Sequence, residues 1–488
     1  MSEARNYRLT RRRFMATSAA VAGGLMLTPG AQVRGANDRI RVGIVGCGGR
    51  GKGNVGWVNE VPGVSVVAVC DPDTTHMDQA SKDRDYKKYQ DYRDLLADDS
   101  IDAVVIATPN HWHALATIMA CQAGKDVYVE KPASHSIWEG RKMVEAARKY
   151  NRIVQVGTQH RSDPAMIAAR EAIANKELGE VQWAHSLWYA HRGPIGKVSE
   201  PQPVPDHINY DLWAGPRPTV PVMRNRFHYD WHWLWDYGNG DMGNRVIHVV
   251  DDIHHLLQMG DDVPTRMMSV GGRFKYDDDA NTPNTQMILM DWKVPIIFGS
   301  RNLPHVDDEG RERGTASYHA FGRDFRFSNL IKCEGGYIAV SRGGGELRDN
   351  AGERVRNLPG DGGRKHIANF FEACRSRDIA DLNADIEGGH QGCLLLHTGN
   401  ISQRVGRPAT TEAVEQQISG YAEASEAWQQ KVEHLRANDV NLEIEKPTLG
   451  PWLNFDPQTE RFVGDHAEQA NKLVREEYRK PFEITDEV

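Results

Sequence analysis

The chain has 488 residues, a formal net charge of −8, and 26% charged residues. That length admits two or three domains, each with its own core. Acidic and basic residues are interspersed, so no basic stripe is available to track a phosphate backbone and nucleic acid is excluded as a partner class.

Residues 1–36 read as a targeting segment rather than part of the fold. Arg11, Arg12, Arg13 and Phe14 precede a small-residue apolar stretch that is too short to span a bilayer. The paired arginines resemble a twin-arginine export signal, with Ala31 and Ala36 as candidate cleavage positions and the periplasm as the expected destination. A basic tail is the alternative. No apolar run reaches the roughly 20 residues of a membrane span, so no stable membrane insertion is expected after processing. Of the six cysteines, Cys47, Cys70 and Cys121 sit in apolar segments and read as buried thiols. Pairing among Cys333, Cys374 and Cys393 stays open.

Residues 40–46 form a short β-branched apolar run, as a buried parallel strand should. It leads into Gly46-Cys47-Gly48-Gly49-Arg50-Gly51, a GxGxxG turn opening a helix-compatible segment. Such glycines permit a tight turn, close approach of a pyrophosphate, and close helix–strand packing. A second strand, residues 64–70, ends at Asp71. An acidic residue at that strand end binds both ribose hydroxyls of NAD and repels a 2′-phosphate, which favours NAD over NADP. A turn aspartate before Pro72 is the alternative. Strand–helix alternation continues through residues 101–108, 114–123 and 126–130, predicting a doubly wound parallel sheet of the Rossmann type.

At the ends of the later strands stand Thr108-Pro109-Asn110-His111-Trp112-His113-Ala114 and Glu130-Lys131-Pro132. Together with the glycine turn and Asp71 they resemble the glucose-fructose oxidoreductase / inositol dehydrogenase family, Gfo/Idh/MocA, over roughly residues 38–405. The resemblance implies an α/β chain with a Rossmann domain over residues 37–158. It also implies an α+β substrate and oligomerisation domain over 159–407, built on an open, largely antiparallel sheet. Residues 408–488 remain as a C-terminal extension. Lys131 would then sit beside the nicotinamide and the reacting carbinol, with Glu130, Asn110, Thr108, Pro109 and His113 near the cofactor. A lysine in a closed pocket loses part of its preference for the charged form and can exchange a hydroxyl proton; a solvated surface lysine is the alternative.

In the second domain, Gln159, His160 and Arg161 follow another apolar strand and are candidate substrate residues. Aromatic residues occupy alternate positions from Phe227 to Tyr237, which in an extended chain would share one face. Trp235, Asp236 and Tyr237 are candidates for packing and binding a sugar, with a buried core strand as the equal alternative. A helix is predicted next, placing Asn244 and His248 four apart on one face. Inositol dehydrogenase-like members carry an Asp-x-x-x-His pair here. His248 matches, but Asn244 stands in place of the acid, so a proton relay is left to His248, Lys131 or Asp241. A satisfied core histidine is the alternative for His248. No metal is expected, the His248/Asp252/His255 spacing being common by chance. His390 is a weaker candidate for the cofactor edge.

These readings predict an enzyme moving hydride between a sugar or polyol and a tightly bound NAD, in a dimer or tetramer. The alternatives are an NAD-dependent glycoside hydrolase working through transient oxidation, and a non-catalytic sugar or dinucleotide sensor.

Overall fold

The computed structural model describes residues 39–82, 84–307 and 309–488; the expected export signal lies outside them. The β-branched runs form a parallel sheet of β1 (Ile40–Val45), β2 (Val64–Cys70), β3 (Lys87–Tyr89), β4 (Ala103–Ile106), β5 (Asp126–Val129) and β6 (Val154–Val156). Strand order is β3-β2-β1-β4-β5-β6, the arrangement of a doubly wound dinucleotide-binding sheet. Helices α1 (Gly49–Asn59), α2 (Thr74–Ser81), α3 (Tyr92–Leu96), α4 (Asn110–Gln122) and α5 (Ile137–Lys149) connect the strands. Strands β4, β5 and β6 are buried at every residue, which explains why they read as continuous rather than alternating hydrophobic runs. At the start of α5, the Ser136 hydroxyl accepts from Glu139 N–H and the Glu139 carboxylate accepts from Ser136 N–H. A reciprocal cap of this kind stabilises a helix by about 1 kcal/mol.

Helix α6 (Pro164–Ala174) leads into β7 (Val181–Tyr189). Residues 190–237 then form a mostly irregular strap holding one short helix, α7 (Tyr210–Ala214). After the strap come α8 (Ile247–Leu256), β8 (Arg266–Gly272), β9 (Thr285–Asp291) and β10 (Pro295–Arg301). Two small hairpins pair β11 (Pro304–Val306) with β12 (Glu312–Thr315) and β13 (Tyr318–Ala320) with β14 (Arg323–Phe325). The meander β15 (Phe327–Cys333), β16 (Gly336–Ser341), β17 (Gly344–Asp349) and β18 (Arg354–Pro359) follows. The sheet runs β18-β17-β16-β15-β7-β10-β9-β8, with only β7 and β10 parallel. It is therefore a mixed, largely antiparallel sheet.

Helices α9 (His366–Ser376) and α10 (Ile386–Val405) return to the body. The remaining elements are β19 (Arg407–Pro408), α11 (Thr411–Ile418), α12 (Ala422–Ala437), β20 (Thr448–Leu449), β21 (Leu453–Asp456), β22 (Arg461–Val463) and α13 (Ala467–Asn471). Strands β19 to β22 extend the large sheet beyond β8. Its two faces carry different cores. Ile288, Met290, Ile296 and Phe298 pack with apolar residues of α8 and α10. On the opposite side Leu187, Met268, Leu289 and Ile297 pack against Val414, Ile418, Trp428 and Leu435 of α11 and α12. The C-terminal extension thus covers the sheet face left open by the other helices. Beyond it the chain crosses the Rossmann helices: Val474, Phe482 and Val488 join the core around Trp112 and Trp138, and Tyr478 Oη donates to Glu139 at 3.0 Å.

Two local expectations are corrected. Residues 227–237 are not a strand, because residues 230–233 form a 3-10 turn flanked by other turns. The alternating aromatics do not share one face: Trp231, Trp233 and Tyr237 are buried and Tyr229 is exposed. Arginines crowd between the rings, Arg224 lying 4.6 Å from the centroids of both Trp213 and Phe227. The helix predicted around Asn244 exists, but residues Met242–Val246 form a π turn before α8. All six cysteines are buried and free. No helix of the described residues is long and apolar enough to cross a membrane.

Candidate active site

At the carboxyl ends of β1, β2, β4 and β5, where strand order reverses, a crevice is expected from the fold alone. It holds a cavity of about 510 Å³, within the range of ligand sites. Gly46, Gly48, Gly49, Arg50, Asp71, Thr108, Pro109, Asn110, His113, Glu130 and Lys131 all line it. Gly51 stands one layer behind, where an added Cβ would lie 1.7 Å from the Gly46 carbonyl oxygen. Gly46 itself has φ +81°, and its Cβ would lie 2.6 Å from the Ala107 carbonyl oxygen. Neither position accepts a side chain, so backbone alone forms the floor of the turn.

The polar groups around the cavity are fixed by one another. Asp71 Oδ2 accepts from Cys47 N–H at 2.6 Å and Oδ1 from Asp73 N–H at 2.9 Å, leaving lone pairs on both oxygens. Arg50 Nε donates to Glu130 Oε1 at 2.8 Å. His113 ties two loops, its ring nitrogens lying 2.6 Å from the Pro132 and 2.9 Å from the Thr108 carbonyl oxygens. Asn110 donates to Asn239 at 2.9 Å. Two buried polar atoms in the wall, Thr108 Oγ1 and Glu130 Oε2, have no partner among the described residues. Buried polar atoms are ordinarily satisfied. With the side-chain-free turn and the Asp71 carboxylate, these orphans fit a bound dinucleotide.

Lys131 faces the same space, with Nζ donating to the backbone carbonyl of Asn244. A π turn widens the helix and alters which carbonyls lie free for side chains. The Asn244 amide therefore does not replace the expected acid; its main chain receives the lysine. Burial pushes the Lys131 ammonium down to about 8, an effect only partly opposed by Glu130 and reinforced by Arg50, Arg192 and Arg245. His248 lies beside this lysine, its ring 4.9 Å from that of His160 and 5.5 Å from that of Trp188. Burial and then the Lys131 charge hold His248 well below the usual imidazole range, so it stays neutral and is a poor proton acceptor. Asp241 is not free for a relay either. Its carboxylate accepts from Arg192 at 3.1 Å, from Trp233 at 3.0 Å and from Asn302.

Several candidates stand elsewhere. Gln159 donates to Tyr128 Oη at 3.1 Å, His160 pairs with Asp252 at 3.0 Å, and Arg161 with Asp251 at 2.7 Å. All are buried; His160 and Arg161 hold α8 to the loop after β6, and Gln159 ties that loop to β5. Tyr237 sits in an aromatic cluster with Trp213, exposed Asp236 faces Arg217 at 3.4 Å, and Trp235 lies under Arg404 at 5.3 Å. None of these six lines the cavity. His390 also turns away, pairing with Glu460 at 2.7 Å. What the strap brings to the cavity instead is Arg226, His228, Tyr229, Trp231 and His232. Burial moves His232 down to about 3. His76 of α2 joins the wall as well. No motif marks the arginines or His76; their place depends on a strap whose path has no periodic signature.

Residues 40–158 match an oxidoreductase family described by its NAD-binding Rossmann fold, and residues 182–293 match that family's C-terminal alpha/beta domain. Both models are those of the Gfo/Idh/MocA family. It is 38% identical over 149 residues to an inositol 2-dehydrogenase of Rubrobacter xylanophilus, covering 30% of this chain and 43% of that protein. To a glycosyl hydrolase family 109 protein of Shewanella pealeana it is 32% identical over 165 residues, covering 31% of this chain and 36% of that protein. Each match thus spans less than half of the relative's length. The solved WlbA dehydrogenase from Bordetella pertussis, in complex with NADH and UDP-GlcNAcA, shares the fold at TM-score 0.54 and 20% identity. That likeness covers 73% of this chain and 94% of the other. Both segments matched by the Gfo/Idh/MocA models meet at the cavity, one through Asp71 and Lys131 and the other through Trp231 and His232.

Proposed function

We propose that the protein is an NAD-dependent oxidoreductase acting on a CH–OH group of a sugar or polyol, exported with its dinucleotide bound and turning over on that same molecule. The observation that carries this reading is Lys131, half-buried in the cavity wall, its ammonium pushed down to about 8 by desolvation. The glycine turn and the N-terminus of α1 would hold the pyrophosphate, and Asp71 the ribose hydroxyls, which disfavours a 2′-phosphate. When bound, the nicotinamide supplies a hydride acceptor or donor. Neutral Lys131 Nζ takes the hydroxyl proton of the substrate, and His248, held neutral near it, adds no positive charge to oppose the ammonium so formed. The Asn244 carbonyl fixes the orientation of the amine. The strap residues Trp231 and Tyr229 give the sugar an aromatic surface and reduce water in the cavity.

Retention of the dinucleotide follows from the export signal expected in residues 1–36, because a periplasmic enzyme has no free pool from which to rebind it. The glycosyl hydrolase match gives a second reading: transient oxidation, elimination and re-reduction, with no net change in redox state. Dinucleotide released by denaturing the purified protein, identified by ultraviolet spectrum and mass, tests what both readings share, and turnover assays separate them. Near-stoichiometric NAD with turnover of sugar pairs supports the oxidoreductase. Release of a reducing sugar from a glycoside without added acceptor supports the second reading, and failure to bind NAD at all overturns both.

A further inference from the structure

Where the strap crosses the adenosine end of the cavity, three histidines converge on one carboxylate oxygen. Asp73 caps α2, its Oδ1 accepting from Thr75 N–H at 2.8 Å. Its other oxygen, Oδ2, lies 2.9 Å from His228 Nε2, 3.7 Å from His207 Nε2 and 3.8 Å from His76 Nε2. Only the first distance is a hydrogen bond; the other two exceed the limit for one. Neither of those nitrogens has a hydrogen-bond partner among the described residues, yet both are aimed at the same oxygen. The donor atoms of Asp73, His76 and His228 all lie within 4.8 Å of one another. A tetrahedral zinc with bonds of about 2.0–2.2 Å sets its donors roughly 3.3 Å apart, so small side-chain rotations close the set.

The chemistry of this donor set is specific. Two or three imidazoles and one carboxylate suit zinc, whereas magnesium and calcium prefer all-oxygen shells. An outer partner is also in place: His76 Nδ1 lies 3.5 Å from Asp71 Oδ2. A carboxylate facing the far nitrogen of a ligating imidazole fixes its tautomer and raises its basicity. The backbone brings the two halves together independently of any ion. Thr74 N–H donates to the His207 carbonyl at 3.1 Å and Asn209 N–H to the Pro72 carbonyl at 2.9 Å. Asp73 and His76 belong to the Rossmann part, and His207 and His228 to the strap.

We infer that Asp73, His76 and His228, with His207 as a fourth ligand, form a zinc site that fastens the strap to the Rossmann domain at the mouth of the cavity. The ion takes the place of the proton between His228 and Asp73. Because His76 also faces Asp71 at 3.5 Å, the site adjoins the carboxylate placed to read the ribose. Under the proposed function, an ion here slows escape of the dinucleotide by holding the strap shut. The metal site itself is tested without any turnover.

The experiment is a zinc titration of the chelator-stripped full chain against a chromophoric competitor, with elemental analysis after dialysis. Wild type is expected to retain one zinc per chain. His228→Gln and Asp73→Asn are each expected to weaken it by on the order of 100-fold or more, and Asp73→Asn keeps an oxygen for the helix cap. Exposed His207→Gln serves as a variant with no folding burden, expected to weaken zinc by about 10-fold. Cobalt(II) in place of zinc should give a four-coordinate visible spectrum that these variants lose. A wild-type chain that takes up no zinc at micromolar concentration overturns the proposal. So does zinc bound equally by wild type and all three variants. Chelation that speeds loss of bound dinucleotide supports the fastening role, and an unchanged loss rate with zinc binding intact removes that role.

Discussion

Lys131 is where burial and chemistry meet. Replacing it with methionine keeps the bulk of the chain and removes the base, so kcat should fall by about 10²–10⁴-fold while dinucleotide content stays that of wild type. Its pH dependence has a definite sign. A lysine whose ammonium is pushed down to about 8 becomes the neutral base as pH rises, so sugar oxidation should accelerate up to about pH 8 and level off above it. Reduction in the reverse direction should weaken over the same range. An oxidation rate flat from pH 6 to 10 would remove Lys131 from the proton step. The Arg161–Asp251 pair, buried and bidentate, tests a different role. Asp251→Asn leaves a buried guanidinium without its counter-charge, and unfolding free energy should drop by about 3–5 kcal/mol in denaturant melts. The sequence shows Arg161 and Asp251 as separate polar residues; only the crossing of α8 over the loop after β6 makes them partners. Asp71 and Lys131, by contrast, are legible because each follows a recognisable strand by a fixed number of residues.

Helices and strands divide in the same way. The Rossmann strands were readable because burial on both faces leaves no room for polar residues, and the glycine turn because no side chain fits there. The segment from Phe227 to Tyr237 was not. Its alternation imitates a strand, but Arg224 and Arg226 stack between the rings and the chain coils into turns. The π turn at Met242–Val246 was also invisible, since an extra residue per turn leaves no mark on a four-residue spacing. Helix α5 gives an element-level test. Burial, reinforced by Glu476, raises the Glu139 carboxyl to about 7. A folded-state value above the unfolded one means stability is fully present below about pH 4.5 and is lost as pH rises through 7. Glu139→Gln should abolish that loss, on the order of 3 kcal/mol, seen as thermal melts that converge at acid pH and separate above neutrality.

On the scale of the whole molecule, the C-terminal extension is the part the family resemblance does not reach. Its helices α11 and α12 lay Trp428, buried to 1%, and Leu435 against the large sheet. Trp428→Ala should destabilise the protein by about 3–5 kcal/mol and expose the sheet face to hydrophobic dyes, without altering the affinity of the distant cavity for NAD. The sequence marks this segment as an extension but not which surface it covers, because nothing in an amphipathic pattern names its partner.

A sheet face covered by another protein molecule is only as well protected as that molecule is abundant. Here the covering helices are tethered to the sheet by a few residues, so the cover is present at a fixed local concentration however dilute the protein becomes. Stability contributed by this face is a property of one chain, and a melting temperature measured over a thousandfold dilution should not move on its account. If the chain is exported as proposed, its sheet stays closed at dilutions where a face shared between subunits would come apart.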